Sequence, residues 1–207
     1  KFYETPNIDK LANESFQFIN AYSSSPVCSP TRASIMTGKH PARLNITDWI
    51  PGRDPKDKPL LGPKDLNELP LKEITIAEKL KESGYKTFYV GKWHLGSQGF
   101  YPENNGFDIN IGGFEKGKPI GGYYSPYKNP KLIDGPEGEY LTDRLTDETI
   151  NLIKNHDKKK QFALFLSFYN VHTPIQANMN HVDYFNEKLS KMSDNLVRTK
   201  KEGEAIT

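Results

Sequence analysis

A nucleophile, two cations and two imidazoles lie in three short segments of the chain. Cys28 and Arg32 bracket the sequence CSPTR, Lys92 and His94 lie in GKWH, and His172 lies in VHTP. A thiol or an oxidised derivative of it can act as a nucleophile, cations stabilise negative charge on oxygen, and an imidazole transfers protons near neutral pH. Together these side chains favour chemistry on a small tetrahedral anion.

The CSPTR segment resembles the start of a helix. A proline two residues after Cys28, and Gly38 after Thr37, predict a helix that begins at Cys28 or Ser29 and ends at Thr37. Arg32 would then lie one turn further along the same face and reach back toward Cys28. The free N–H groups of the first turn attract anions and would equally favour a thiolate, so position 28 is a candidate anion site.

The GKWH segment follows a β-rich run at residues 85–90. If the extended conformation continues, Lys92 and His94 point to one side and Trp93 to the other, because side chains alternate along a strand. A cation and an imidazole would then share one surface.

His172 follows the most apolar run of the chain, residues 162–169. Such a run is typical of a strand buried on both faces of a parallel sheet, and ligands bind beside the loops at the carboxyl ends of these strands. Pro174 restricts the backbone near His172. The pattern predicts a well-positioned imidazole suited to proton transfer.

Each candidate also has a plainer interpretation. A free cysteine is often a buried core residue, a lysine is usually solvated, and a lone histidine is more often structural than catalytic. The remaining histidines, His40, His156 and His181, are interpreted as structural or solvated. The tyrosines Tyr123, Tyr124 and Tyr127 are interpreted as loop packing, with a sugar-facing wall as the alternative.

Composition excludes several classes of protein. The 207 residues carry 28 basic and 26 acidic side chains, and this near balance supplies no long-range electrostatic attraction for nucleic acid. The longest strongly apolar stretch, residues 162–168, is far shorter than the roughly 20 residues of a membrane-spanning helix. The single cysteine, Cys28, excludes an internal disulfide and multi-cysteine zinc patterns.

Helical and strand-like segments alternate along the chain, which predicts an α/β fold. Helices are predicted at residues 5–14, 28–37, 75–82 and 140–156, and strands at 16–22, 85–90 and 162–169. Thr5 is expected to cap the first helix, and Thr75 with Glu78 has capping-box spacing. Residues 49–71, which border the expected cleft, and 96–136 are expected to be irregular.

The segments CSPTRASIMTGKHP, GYKTFYVGKWHLG and SFYNVHTPIQA closely resemble the type I sulfatases, the formylglycine-dependent members of the alkaline phosphatase superfamily. The resemblance extends from TPNIDKLANES to the HTP loop. It implies an alkaline phosphatase-like α/β fold, with a mostly parallel sheet between helices. The first strand and the later strands of that fold are not expected in this chain, so the sheet should leave an apolar edge exposed.

The resemblance also implies an organisation for residues 1–207 as part of a catalytic domain. The predicted parts are a nucleophile segment 1–48, a surface loop 49–71, a second signature 72–95, an irregular region 96–139, a helix, strand and histidine loop 140–180, and a polar tail 181–207.

Site roles follow from the resemblance alone. A maturation enzyme that recognises Pro30 and Arg32 would oxidise Cys28 to formylglycine, whose hydrate binds calcium and attacks sulfur. Arg32 would hold the hydrate, Lys92 would bind a sulfate oxygen, and His94 would take the proton of the hydrate. His172 would contact sulfate or protonate the leaving oxygen.

Calcium takes 6–8 oxygen ligands. In the family these include a pair of aspartates before the first segment matched here and acidic or amide side chains on later strands. Cys28, as formylglycine, is therefore the one calcium ligand expected in this chain. We expect the chain to be part of a longer protein, to be inactive by itself and to bind calcium weakly.

The leading functional hypothesis is a sulfuric ester hydrolase acting on a sulfated small molecule or glycan. The alternatives are a phosphomonoester or phosphonate hydrolase, a non-catalytic binder of sulfated glycans, and a cysteine hydrolase with His94 or His172 as base. The resemblance also implies a periplasmic or secreted location.

Overall fold

The computed structural model describes residues 2–52 and 57–192. The helices are α1 (Pro6–Asn13), α2 (Cys28–Thr37), α3 (Pro41–Leu44), α4 (Ile76–Glu82), α5 (Leu141–Asn155) and α6 (Met179–Ser190). The strands are β1 (Lys86–Gly91), β2 (Ile109–Ile111) and β3 (Phe162–Ser167). The chain divides into a larger unit, Ser23–Pro174, and a smaller unit formed by Lys1–Tyr22 and Ile175–Thr207.

The three strands form one parallel sheet in the order β2-β1-β3, which confirms the predicted α/β class. β1 is central and buried from Thr87 onward because strands cover both of its sides. The prediction that the third strand is buried on both faces is wrong. β3 pairs with β1 alone among the described strands, and most of its residues are half-buried, as an edge position requires. Three-residue β2 lies in the region predicted to be irregular.

Alternating side chains of β1 contribute to two separate cores. Tyr89 packs in the first with Ala33 and Met36 of α2, Ala77 of α4, and Trp93. The second core, on the other face, contains Val90, together with Leu141 and Leu145 of α5. The sheet therefore lies between α2 and α4 on one side and α5 on the other.

Several predicted helix ends are confirmed. The amide of Glu78 donates to the Thr75 hydroxyl at 3.2 Å, and the Glu78 carboxylate accepts from the Thr75 amide at 2.7 Å. Gly38 ends α2 with a φ of 69°. The predicted cap at Thr5 is wrong, because the Thr5 hydroxyl donates to the Asp9 carboxylate and makes no capping hydrogen bond to the helix backbone.

The predicted strand at residues 16–22 is also wrong. This segment has no regular structure, and the side chains of Phe16, Phe18, Ile19 and Tyr22 are 85–96% exposed. A strand needs a partner for its backbone hydrogen bonds, and no described strand pairs with this segment. An apolar run is therefore not sufficient to make a strand here.

Contacts between its N-terminal and C-terminal segments stabilise the smaller unit. The ring of Phe2 lies 5.4 Å from that of Phe185, and Glu4 accepts hydrogen bonds from Tyr184 and Lys188. None of the described helices has the length and hydropathy needed to cross a bilayer. Residues 53–56 of the predicted surface loop and most of the predicted polar tail lie outside the described residues.

Substitution of Gly91, the last residue of β1, should destabilise the sheet more than substitution of Gly84 in the turn before this strand. Both have positive φ, 98° and 87°, so alanine at either position is strained by about 1–2 kcal/mol. A Cβ at Gly91 would also lie 2.1 Å from the Ser167 carbonyl oxygen, whereas nothing lies within 4 Å at Gly84. We expect Gly91→Ala to lower the free energy of unfolding by at least about 2 kcal/mol more than Gly84→Ala. Urea titration followed by circular dichroism measures both, and equal losses would contradict the close β1–β3 contact.

Candidate active site

The site is formed where α2 begins, next to the loop that follows β1. Cys28 is the first residue of α2, which is one of the two predicted starts, and Val27 before it is extended. The Cys28 sulfur lies 3.3 Å from Nδ1 of His94. Two residues that are 66 positions apart in the sequence are therefore in contact.

The orientation of the His94 ring is determined by a backbone carbonyl. Nε2 of His94 lies 2.5 Å from the carbonyl oxygen of Ile50. A carbonyl oxygen can only accept a hydrogen bond, so in the neutral ring the proton is assigned to Nε2. Nδ1 then presents its lone pair to Cys28. His94 is thus oriented to accept a proton from a group at position 28.

Ser29 connects the segments that hold this imidazole. Its buried hydroxyl donates to the His94 carbonyl oxygen and accepts from the Ile50 amide, both at 3.0 Å. His94 itself has a φ of 59°, an uncommon conformation for a residue other than glycine. Sequence reasoning missed Ser29, because its type and position indicated only the start of a helix.

His94 is neutral over the physiological pH range. Burial lowers its pKa to about 4, and the positive charges of Lys92, Arg32 and Lys116 act in the same direction. The hydrogen bond to Ile50 partly opposes this shift. A neutral, oriented imidazole is the form that a general base requires.

Lys92 is buried behind Cys28 and interacts with its sulfur. Burial and, to a smaller extent, the positive charge of the neighbouring Arg32 lower the pKa of Lys92 to about 8, while Cys28 opposes this shift. The Arg32 guanidinium donates to the Lys92 carbonyl oxygen at 2.5 Å and to the Tyr89 hydroxyl at 3.4 Å. The expected reach of Arg32 toward Cys28 is replaced, in the described part of the chain, by these two hydrogen bonds.

The extended conformation considered for the GKWH segment does not continue through it. β1 ends at Gly91, whose φ is 98°, and the backbone then turns. Lys92 and His94 nevertheless both approach Cys28, while Trp93 is fully buried in the core formed with Tyr89. The shared surface predicted for the cation and the imidazole therefore arises from a turn.

His172 lies in the loop after β3. Its amide contacts the Tyr169 carbonyl oxygen and the Tyr123 hydroxyl, both at 3.0 Å. The Tyr123 hydroxyl in turn lies 2.8 Å from the Tyr169 carbonyl oxygen. Tyr123 is almost completely buried, and burial raises its pKa to about 12, so it stays protonated. The packing role predicted for Tyr123 thus includes holding the backbone of the His172 loop.

A cavity of about 970 Å³ opens over Cys28. Among its lining residues are Cys28, Trp49, Ile50, Asn67, Glu68, His94, Glu115, Lys116, Gly117, Lys118 and His172. Arg32 and Lys92 are not among these lining residues. Lys92 interacts with Cys28, and Arg32 donates to the Lys92 carbonyl oxygen. The structure therefore brings Cys28, Arg32, Lys92 and His94 together and places His172 on the wall of the same cavity.

A second cavity, of about 380 Å³, lies at the opposite end of β1. Lys86, Phe88, His156 and Asp157 contribute to its lining, and none of the five predicted site residues does. Ligands of open α/β sheets bind at the carboxyl ends of strands, where the larger cavity lies. The larger cavity is therefore the candidate active site.

The described residues do not by themselves fit a calcium ion. The Cys28 sulfur interacts with the His94 imidazole and the Lys92 ammonium, and a guanidinium lies next to that ammonium, whereas calcium takes 6–8 oxygen ligands. Within residues 2–52 and 57–192, no three His, Cys, Asp or Glu side chains are clustered as metal ligands. The arrangement can stabilise an anion and accept a proton.

The chain matches known proteins over almost all of its length. The sulfatase family profile matches residues 2–198. Mouse arylsulfatase J is 32% identical over 201 residues, which cover 88% of this chain and 31% of the relative. The N-acetylglucosamine-6-O-sulfatase of Bacteroides thetaiotaomicron is 31% identical over 198 residues, covering 93% and 31%. The chain spans about a third of the length of these curated relatives.

Solved structures show the same fold. The structure of Ps i-CgsB in complex with k-i-k-neocarrahexaose aligns with a TM-score of 0.72 and 27% identity, covering 98% of this chain and 46% of that one. A protein solved with its substrate D-glucosamine-2-N,6-O-disulfate aligns with a TM-score of 0.65 and 28% identity, covering 94% and 35%. These alignments confirm the predicted alkaline phosphatase-like architecture.

The His94 pKa predicts how stability depends on pH when Cys28 is an unmodified thiol. The unfolded chain takes up a proton near the ordinary value of 6.5, whereas folded His94 does so only near pH 4. The contribution of neutral His94 is therefore complete above about pH 6.5 and is lost as the pH falls toward 4. Nitrogen-15 NMR of the imidazoles should show the Nε2–H tautomer and a midpoint near 4. A titration midpoint of His94 near 6.5 would contradict the lowered pKa. A His94→Gln variant whose stability depends on pH in the same way as that of the wild type would contradict the role of His94 in this dependence.

Proposed function

Because the chain belongs to the sulfatase family, we propose that it supplies part of the active site of a sulfuric ester hydrolase. The observation that carries the proposal is the contact of position 28 with a neutral imidazole and a buried ammonium at an open cavity. A sulfate ester is an anion whose cleavage needs charge stabilisation and proton transfer, and these groups can supply both.

Each side chain has a role in this proposal. Nδ1 of His94 accepts the proton of the attacking group at position 28, since its lone pair faces that position. Lys92 binds a sulfate oxygen, and its neighbour Arg32 adds positive charge and supports the Lys92 backbone. His172, on the cavity wall, contacts the sulfate or protonates the leaving oxygen.

Formylglycine at position 28 and a calcium ion complete the proposal, as the family resemblance implies. The hydrate of formylglycine supplies a nucleophilic hydroxyl, and the aldehyde can re-form after the reaction. The calcium ion requires oxygen ligands in addition to those of the described residues. A maturation enzyme acting on Cys28, and a location outside the cytoplasm, belong to the same proposal.

A sulfated carbohydrate is the proposed substrate. One of the relatives described above is named an N-acetylglucosamine-6-O-sulfatase, and one of the similar structures contains its substrate D-glucosamine-2-N,6-O-disulfate. In this chain the cavity offers the half-buried ring of Trp49 for packing against a sugar and the polar side chains of Asn67 and Glu68 for its hydroxyls. The cavity, about 970 Å³, is within the range of organic-ligand sites.

One alternative has an observation of its own. An unmodified Cys28 would face a proton acceptor and an ammonium, the surroundings that activate a thiol nucleophile. A cysteine hydrolase would be inactivated by iodoacetamide, whereas an aldehyde would not be alkylated at this position.

The full-length protein should hydrolyse 4-nitrophenyl sulfate faster than 4-nitrophenyl phosphate, and mass spectrometry of the peptide containing Cys28 should show formylglycine. Faster phosphate hydrolysis would favour a phosphatase. A free thiol without turnover, in a host that contains the maturation enzyme, would favour a glycan-binding protein.

Lys92→Ala and His172→Ala in the full-length protein should each lower kcat for 4-nitrophenyl sulfate by a factor on the order of 100 or more, because each removes a positioned charge or proton-transfer group. Lys154→Ala, at an exposed position of α5, is the matched control. Steady-state kinetics measures the effect, and near-normal turnover of either variant would remove the role assigned to that residue.

A further inference from the structure

Two lysines lie beside the reaction centre without a place in the proposed chemistry. Lys116 and Lys118 line the cavity over Cys28, on either side of Gly117. Lys116 is close enough for its charge to contribute to the lowered pKa of His94. Both lysines therefore border the space into which a bound ester would extend.

The backbone between these lysines is held against the His94 ring. A Cβ at Gly117 would lie 2.4 Å from both Cε1 and Nδ1 of His94, so only glycine fits there. Nδ1 of the same ring lies 3.3 Å from the Cys28 sulfur. The two lysines are thus attached to a segment packed directly on the reacting groups, and an anion between them would lie near the ester.

Carboxylates of the described residues neutralise the charges of these two lysines only in part. Lys116 has a distant ion pair of 3.9 Å with Glu115, whose carboxylate also accepts from the Tyr101 hydroxyl at 2.6 Å. Lys118 is exposed and makes no ion pair with any described residue. Glu68 and Glu115 line the cavity as well, so a second anion would be bound through its position next to the two lysines and not through a general excess of positive charge.

We infer that Lys116 and Lys118 form a second anion-binding subsite, and that the substrate is a sulfate ester carrying a further anionic group, a sulfate or a carboxylate, near the ester. This inference rests on the proposed function and specifies its substrate class. A monosulfated neutral sugar would leave Lys118 without an ion pair to the described residues and Lys116 with its 3.9 Å pair to Glu115 alone, whereas a second anion would accept charge-assisted hydrogen bonds from both ammonium groups.

Competition against 4-nitrophenyl sulfate hydrolysis by the full-length protein tests the inference. The competitors are N-acetylgalactosamine 4-sulfate, the corresponding 4,6-disulfate and glucuronic acid 2-sulfate. We expect the disulfate or the sulfated uronic acid to have a Ki about tenfold or more below that of the monosulfate, the scale of one charge-assisted hydrogen bond. The ligand with the lower Ki identifies which second anion is bound.

Variants separate the subsite from general charge effects. The ratio to be compared is the Ki of the monosulfate divided by that of the preferred dianionic ligand. Lys116→Ala and Lys118→Ala should each bring this ratio toward one. Lys118→Arg should retain the ratio, and Lys154→Ala should leave it unchanged. A wild-type ratio near one, or a ratio that survives both alanine variants, would overturn the inference. Calorimetry on Cys28→Ala with the same ligands measures the binding preference independently of turnover. Absence of 4-nitrophenyl sulfate hydrolysis with a preserved binding preference would therefore count against the proposed function alone.

Discussion

The hydrogen bond between the His94 imidazole and the Ile50 carbonyl oxygen is the interaction on which the rest of the site depends. It assigns the ring proton to Nε2, leaves the Nδ1 lone pair facing position 28, and operates in surroundings that keep the ring neutral. Ser29 supports it from both ends, by contacting the Ile50 amide and the His94 carbonyl. A rotated or protonated ring would lose its capacity to accept a proton from that position.

The second constraint is the burial of like charges. Lys92 is buried next to the Arg32 guanidinium, and both desolvation and repulsion lower the pKa of the ammonium. Such a pair is unfavourable until negative charge lies beside it. The site is therefore organised to bind an anion, and the two neighbouring positive charges can stabilise negative charge on the oxygens of a bound ester.

The sheet explains how distant segments meet at one place. Parallel strands align their carboxyl ends, so the loops after β1 and β3 emerge on the same edge. The close approach of Gly91 to the Ser167 carbonyl oxygen joins the two strands there. α2 packs on the core face that contains Tyr89, which places its first turn beside the loop after β1. Tyr123, from the irregular region, then holds the backbone of the His172 loop.

The sequence by itself determined the features that depend on near neighbours along the chain. These include α2 beginning at Cys28, the capping box of Thr75 and Glu78, the parallel α/β class and the identity of the five candidate residues. Tertiary structure alone decided the pairing of His94 with Ile50, the role of Tyr123, the approach of Gly117 to the imidazole, and the absence of a strand at residues 16–22. These features join groups that lie between 23 and 49 residues apart, or need a partner strand. Local propensity carries no information about such contacts, because they form only when separate elements pack together.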